Sequence, residues 1–191
     1  AIVVMGNFFR DAIEVIVDTT FTLSMRSDVA IWMVEPTNDS ARHEIARLPG
    51  VTGVEPARSV PVRLRHGHRS ERVGLQGVAP TAQLQRIIDV DGRHVRPNGE
   101  GMLLTDRLAD KLGVRVGDTV RVEVLEGRQR TVTVTLSATA REMMGLNAYM
   151  ERRALNRRLQ EGDQSTWFAV ALERGRETAF LDASKQMPRV V

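Results

Sequence analysis

Two histidines separated by a single glycine, His66-Gly67-His68, are the first residues of this chain whose type and spacing suggest chemistry. On a strand, residues two apart share a face, so the pair could hold a metal ion with Glu71 as the nearest third ligand. The glycine between them and the following Arg69 favour a solvated hairpin tip instead. Asp89 and Asp91 repeat the spacing, but Asp91-Gly92 is turn chemistry. His43 falls in a helical stretch and His94 in a loop, and no Gly-x-Ser-x-Gly elbow sets a nucleophile beside a base. Gly99-x-Gly101 lacks a third glycine and a helix start, and Gly-Lys-Ser/Thr does not occur, so nucleotide binding is not expected. The sequence therefore assigns no catalytic, cofactor-binding or metal-binding residue, and no cofactor is expected.

Charge gives a second test. The chain has 27 Lys and Arg against 24 Asp and Glu, a formal charge of +3, and all its basic residues but Lys111 and Lys185 are arginine. Arg152-Arg153 with Arg157-Arg158 is the one dense basic cluster. Spread around a helix these four do not form a stripe, and aromatic residues at 4% supply few stacking platforms, so a nucleic-acid partner is not expected. Asn38-Asp39-Ser40 fits a glycosylation acceptor, yet a helix cap explains it equally simply. Cysteine is absent, which removes disulfides and thiol catalysis and leaves the compartment open.

The elements that must position these residues follow from periodicity. Ala1 to Met5 is apolar, and Phe8, Phe9, Ala12, Ile13, Ile16, Val17 and Phe21 recur at helical spacing, which reads either as an N-terminal helix packed on the core or as a stalk helix continuing from a membrane helix. Asp28 to Glu35 reads as a buried strand, followed by a helix through Leu48 that Pro49-Gly50 stops. Val51 to Leu64 and Arg72 to Val78 alternate around the His66 to Arg69 tip. A loop-rich stretch covers Ile87 to Gly101. Thr105-Asp106 opens a helix through Leu112 ended by Gly113, and Val120 to Leu125 pairs with Thr131 to Leu136 across Glu126-Gly127-Arg128. Tyr149 to Leu159 reads as helix, Thr166 to Leu172 as strand and Arg174 to Gln186 as helix.

Two of these stretches share one design. A strand ending in Glu35, a helix and Leu48-Pro49-Gly50-Val51 is repeated as a strand ending in Glu173, a helix and Met187-Pro188-Arg189-Val190. Two strand-helix-strand units would form one open sheet with helices on one face, an α+β lobe. The expected division is a stalk over residues 1–26, a porter-like lobe from 27–87 and 141–191, and an inserted β-rich lobe over 88–140.

The stretch GMLLTDRLADKLGVRVGDTVRVEVLEG from Gly101 to Gly127, taken in order with LPGVTGVEP (Leu48 to Pro56), LQGV (Leu75 to Val78) and GLNAYM (Gly145 to Met150), resembles FtsX-like permeases of the MacB type, the membrane subunits of ABC transporters. The resemblance implies an extracytoplasmic, non-catalytic domain between two transmembrane helices, periplasmic or otherwise extracellular. It also implies ATP hydrolysis in a separate cytoplasmic subunit, a dimer in the full transporter, and contact with cargo or an adaptor protein. LADKLGVRVGDTV alone is also similar to double-psi β-barrels, which makes a cofactor- or substrate-binding enzyme module the alternative. Purified protein is expected neither to hydrolyse ATP nor to retain stoichiometric metal. Elemental analysis finding one ion per chain, lost on replacing His66 and His68, would refute this.

Overall fold

A computed structural model describes residues 25–38, 40–143 and 145–185. The helix expected over Phe8 to Phe21 and a strand expected from Pro188 lie outside these residues. In chain order the elements are β1 (Val29–Asn38), α1 (Ser40–Ile45), β2 (Val51–His66), β3 (Arg69–Val78), β4 (Ile87–Ile88), β5 (His94–Val95), β6 (Met102–Thr105), α2 (Asp106–Leu112), β7 (Thr119–Val124), β8 (Thr131–Ala140), β9 (Ala148–Glu151), α3 (Arg152–Arg158), β10 (Gln164–Leu172) and α4 (Glu177–Ser184).

Eight strands join in the order β1-β10-β2-β3-β9-β6-β8-β7, and β7 also pairs with β2. That last pairing closes the six strands from β2 to β7 into a barrel. It leaves β1, β10 and the first half of β2 as an open sheet. The strands of the two expected units, β1 and β10, are direct antiparallel neighbours, with Val29 opposite Val170 and Trp32 opposite Trp167. β10 pairs antiparallel with β2 in turn, from Trp167 opposite Ala57 to Leu172 opposite Val51. β1 and β2 are therefore parallel with β10 between them, and α1 carries the crossover. Mixed α+β architecture is what the sequence implied.

One face of the open sheet is covered by both helices: Ala41 and Ile45 of α1 and Phe180 of α4 pack on Ile31, Met33, Phe168 and Val170. On the other face Trp32 stacks on Trp167 with ring centroids 5.4 Å apart, and Trp167 packs with Ala57, Ala169 and Leu84. The barrel has its own core, in which Val60, Val62 and Leu64 of β2 meet Leu75, Met102, Leu104, Val122, Leu136, Met150 and Leu155. Each such side chain, fully buried, contributes about 1.5–3 kcal/mol. Residues 88–140 thus supply only some of the staves. The second half of β2, with β3, β9 and α3, fills the rest of the interior. An alternating strand looks the same in sequence whether it lines a sheet or a barrel, so periodicity could not locate that boundary.

Several boundaries differ from expectation for physical reasons. β1 runs on through Pro36 to Asn38 because its register slips between Trp32 and Thr37, and proline is tolerated at such an irregularity. Tyr149 begins no helix: Ala148 to Glu151 form β9, parallel to β3 and antiparallel to β6, and only then does α3 start. α1 and α4 are shorter than the periodicity suggested. α2 matches its expected limits, and Gly113 ends it at φ 66°, a left-handed conformation that glycine adopts without strain. Thr105, at its N-cap position, makes no capping bond, and its hydroxyl instead accepts from the Asn147 amide at 3.2 Å.

Beside β9, Glu142 is held above the ordinary carboxylate value, first by burial, with bonds to Asn147 and Tyr149 opposing the rise. Asn147 donates to its Oε2 at 2.5 Å. Because the folded state holds this proton more tightly than the unfolded chain, its stabilisation is present below the unfolded value of 4.5 and is lost as pH rises through the raised folded value. Wild type should gain stability relative to Glu142→Gln as pH falls from neutral into that window. Parallel pH profiles in urea unfolding would contradict it.

Candidate functional site at the junction of the two lobes

Two buried arginines stand where the chain passes between sheet and barrel. Arg58, 1% exposed, sits on β2 just beyond the last residue paired with β10. Its Nη2 lies 3.1 Å from Glu161 Oε2 and 3.1 Å from Glu126 Oε1. Glu126 belongs to the β7–β8 turn and Glu161 to the connection from α3 to β10. One guanidinium therefore ties a barrel turn and the return crossing to the strand that spans both lobes.

Arg152, 4% exposed, opens α3. Its Nη1 lies 2.6 Å from Asp163 Oδ1 and donates to Gln164 O and Ser165 Oγ, each at 3.2 Å. Asn156, one turn on, donates to the same Gln164 carbonyl at 2.9 Å. The segment returning from barrel to sheet is thus held at Glu161 by Arg58 and at Asp163 to Ser165 by Arg152. A third contact crosses at the strands themselves: Ser59 N donates to Thr166 Oγ1 at 2.7 Å, and Gln76 donates to Ser59 Oγ at 3.0 Å. Gly77 makes this approach possible, since a Cβ there would meet Leu155 Cδ2 at 3.0 Å and both the Arg152 Cα and the Arg58 Cβ at 3.2 Å.

Alongside the junction, an open cleft of about 1010 Å³ follows the part of β2 that lies before the barrel, lined by Gly53, Glu55, Pro80, Ala82 and Arg153 among others. Glu55 fixes its far wall by accepting from the amides of Gln83 at 2.7 Å and Leu84 at 2.9 Å. The chain enters beside that wall, where Met25 bridges Gln85 and Arg26 N donates to Leu84 O.

The residues singled out for chemistry are dispersed. His66 and His68 flank the tight β2–β3 turn, and among the described residues no group of three or more His, Asp or Glu is placed to hold a metal. Asp89 Oδ1 accepts from the amides of Asp91 and Arg93, while Asp91 pairs with Arg141 at 3.0 Å, which is turn chemistry. His94 is held below the usual histidine value by burial and by Arg96 and Arg86. Asn38 Oδ1 accepts from Ser40 N at 3.1 Å, a turn bond that leads into α1. Arg157 and Arg158 are taken by Glu100 at 2.6 and 3.4 Å.

Arg58 and Arg152 were legible as positions rather than as types. Arg58 falls on the same strand face as the buried Val60, Val62 and Leu64, and Arg152 on the same helix stripe as Leu155 and Leu159. What the junction can do is mechanical: it fixes the orientation of one lobe against the other. The barrel interior is packed with buried apolar side chains from its strands and from α2 and α3.

Residues 1–183 match the family model described as the MacB-like periplasmic core domain. Among solved structures, the extracellular domain of the noncanonic ABC-type transporter YknZ from Gram-positive bacteria is similar at a TM-score of 0.56 and 14% identity, covering 85% of this chain and 97% of that one. The periplasmic region of MacB from Actinobacillus actinomycetemcomitans follows at 0.51 and 13%, covering 90% and 88%. At such identities the likeness is one of fold. No curated protein sequence matches the chain. Among the described residues no helix is long and apolar enough to cross a membrane.

Arg58→Ala should lower stability by about 2–4 kcal/mol, because a buried stem and a two-carboxylate clamp are both lost. Arg58→Met, which keeps the stem, should cost less than half as much. Chemical denaturation giving Arg58→Ala within about 0.5 kcal/mol of wild type would show that the clamp carries no load.

Proposed function

The chain belongs to the family of MacB-like periplasmic core domains, and from that premise we propose that it couples movement of an ABC permease's membrane segments to binding of cargo or a partner protein outside the membrane. The observation that carries this reading is β2. Its 16 residues run without interruption from the open sheet into the barrel, a length of roughly 50 Å at about 3.3 Å per residue. A displacement delivered at the Met25 end of the sheet reaches the barrel through a covalent, hydrogen-bonded rod rather than through a linker.

In this reading the domain itself performs no chemistry, and a separate cytoplasmic ATPase subunit supplies the energy. The stalk over residues 1–26 brings in the motion, the sheet lobe receives it, and the barrel carries it outward. Two copies act together in the full transporter, each placing its barrel at the membrane-distal end. The filled barrel interior supports this over the enzyme alternative, since a mechanical element gains from dense packing and a binding module needs space.

The test is Arg58→Met in the full permease with its ATPase. Basal ATP hydrolysis should persist, while transport and its stimulation of hydrolysis by cargo should fall severalfold. Wild-type transport by this variant at equal membrane abundance would remove the coupling role from the junction.

A further inference from the structure

The outer surface of the barrel carries an arrangement that costs stability where it stands. On β2, Val60, Val62 and Leu64 point inward, so Arg63 and Arg65 point outward; on β7, Val120, Val122 and Val124 point inward, so Arg121 and Glu123 point outward. In the ladder Arg65 lies directly opposite Arg121 on one side and Ser70 on the other. Arg63 lies opposite Arg72 on one side and Glu123 on the other. Like charges directly opposite each other on a sheet repel, and this surface places two such pairs side by side.

One carboxylate, Glu123, meets two of the four. Glu123 Oε1 lies 3.0 Å from Arg65 Nε, and its Oε2 lies 3.4 Å from Arg63 Nη1. Among the described residues neither Arg121 nor Arg72 has an ion-pair or hydrogen-bond partner. Glu71, the next acid along β3, lies opposite inward-pointing Leu64 and is taken by Lys111 at 3.4 Å. The patch therefore carries an excess of positive charge that no neighbouring group neutralises.

Between Arg65 and Arg121 the surface is concave. A depression of about 370 Å³ is lined by Arg65, His66, Gly67, Thr119, Arg121 and Thr133. Its donors come from three adjacent strands: a guanidinium from β2, a guanidinium and a hydroxyl from β7, and the Thr133 hydroxyl of β8, directly opposite Arg121. Two guanidiniums and two hydroxyls lining one depression offer more donors than the two oxygens of a carboxylate can use, and suit the several oxygens of a tetrahedral oxyanion better.

We propose that this depression binds a phosphoryl group, free or as part of a larger phosphate ester. The bound dianion would sit between Arg65 and Arg121, turning their repulsion into shared attraction. The site lies at the hairpin end of β2, the full strand length from Val51, which shares its end of the sheet with Val29, where β1 begins. It is thus presented away from that end, and the inference stands whether or not the coupling reading does.

The test titrates inorganic phosphate and pyrophosphate into the purified 191-residue chain, with ionic strength held constant by sodium chloride and backbone amide resonances followed by NMR. Saturable shifts should cluster at Gly67, Thr119, Arg121 and Thr133. Arg65→Gln and Arg121→Gln should each weaken binding about tenfold or more, and Arg47→Gln, an exposed arginine at the end of α1, should leave it unchanged. Without phosphate, Arg121→Gln should melt at a higher temperature than wild type, since a repulsion is relieved, while losing the stabilisation that phosphate gives wild type. Shifts that do not saturate, or that chloride alone reproduces, would overturn the site. Acetate binding as tightly as phosphate would overturn its assignment to phosphoryl groups. An Arg121→Gln protein that is less stable and still responds fully to phosphate would do the same to the role of Arg121.

Discussion

The structure depends on one strand doing two jobs. Up to Ala57, β2 is the third strand of an open sheet; from Arg58 it is a stave of a closed barrel, with β3 on one side and β7 on the other. A strand that changes partners must also change which surroundings its two faces meet, and the switch falls at Arg58. There the side chain is too deep for water and too polar for a hydrocarbon core. Its charge is tolerable because two carboxylates, each about one-third exposed, reach it from the barrel turn and the return crossing. Among the described residues its Nε and Nη1 find no acceptor, so the position is costly compared with a leucine. What it supplies is specificity: only one mutual placement of β2, the β7–β8 turn and the α3–β10 connection brings both acids to it.

The neighbouring contacts make sense as consequences. Because the return crossing must meet Arg58, α3 has to lie close over β3, and glycine at position 77 leaves room for that. Because α3 lies there, Arg152 at its start is buried against the crossing, and Glu151 can cap the helix by accepting from the amides of Arg153 and Ala154. The cleft beside the junction arises because β3 joins β2 only from Arg58 onward, leaving the first part of the strand to be flanked by the 79–84 loop.

Legibility from sequence followed how local each determinant is. The β2–β3 tip was readable at Gly67-His68, and the end of α2 at Gly113, because a turn or a helix stop is decided by one or two residues. That β1 and β10 share one sheet was readable from the similar design of the segments around Glu35 and Glu173; that they are direct neighbours was not. β9 was not, because Ala148 to Glu151 become a strand only by wedging between β3 and β6, partners about 70 and 45 residues away in the chain. Barrel closure was invisible for the same reason, and so were the opposed arginines on its surface: nothing near Arg65 announces that Arg121 will face it. Arginine as a type reads as solvated, which concealed the junction until alternation was followed through Arg58 itself.

The chain contains two tryptophans and one tyrosine, and the fold distributes them unequally. Trp32 and Trp167 stack on each other in the open sheet, whereas Tyr149 lies on β9 in the barrel. Each lobe consequently carries a different chromophore. Fluorescence excited at the red edge of the indole band reports the sheet alone, and the stacked indoles, being close enough for their transitions to mix, give a circular-dichroism couplet that vanishes when β1 parts from β10. Tyrosine absorbance reports the barrel. The molecule is in this sense labelled on either side of its own junction, Trp167 opposite Ala57 and Tyr149 level with Ser59, so whether its lobes loosen together or in sequence is open to observation without any added dye.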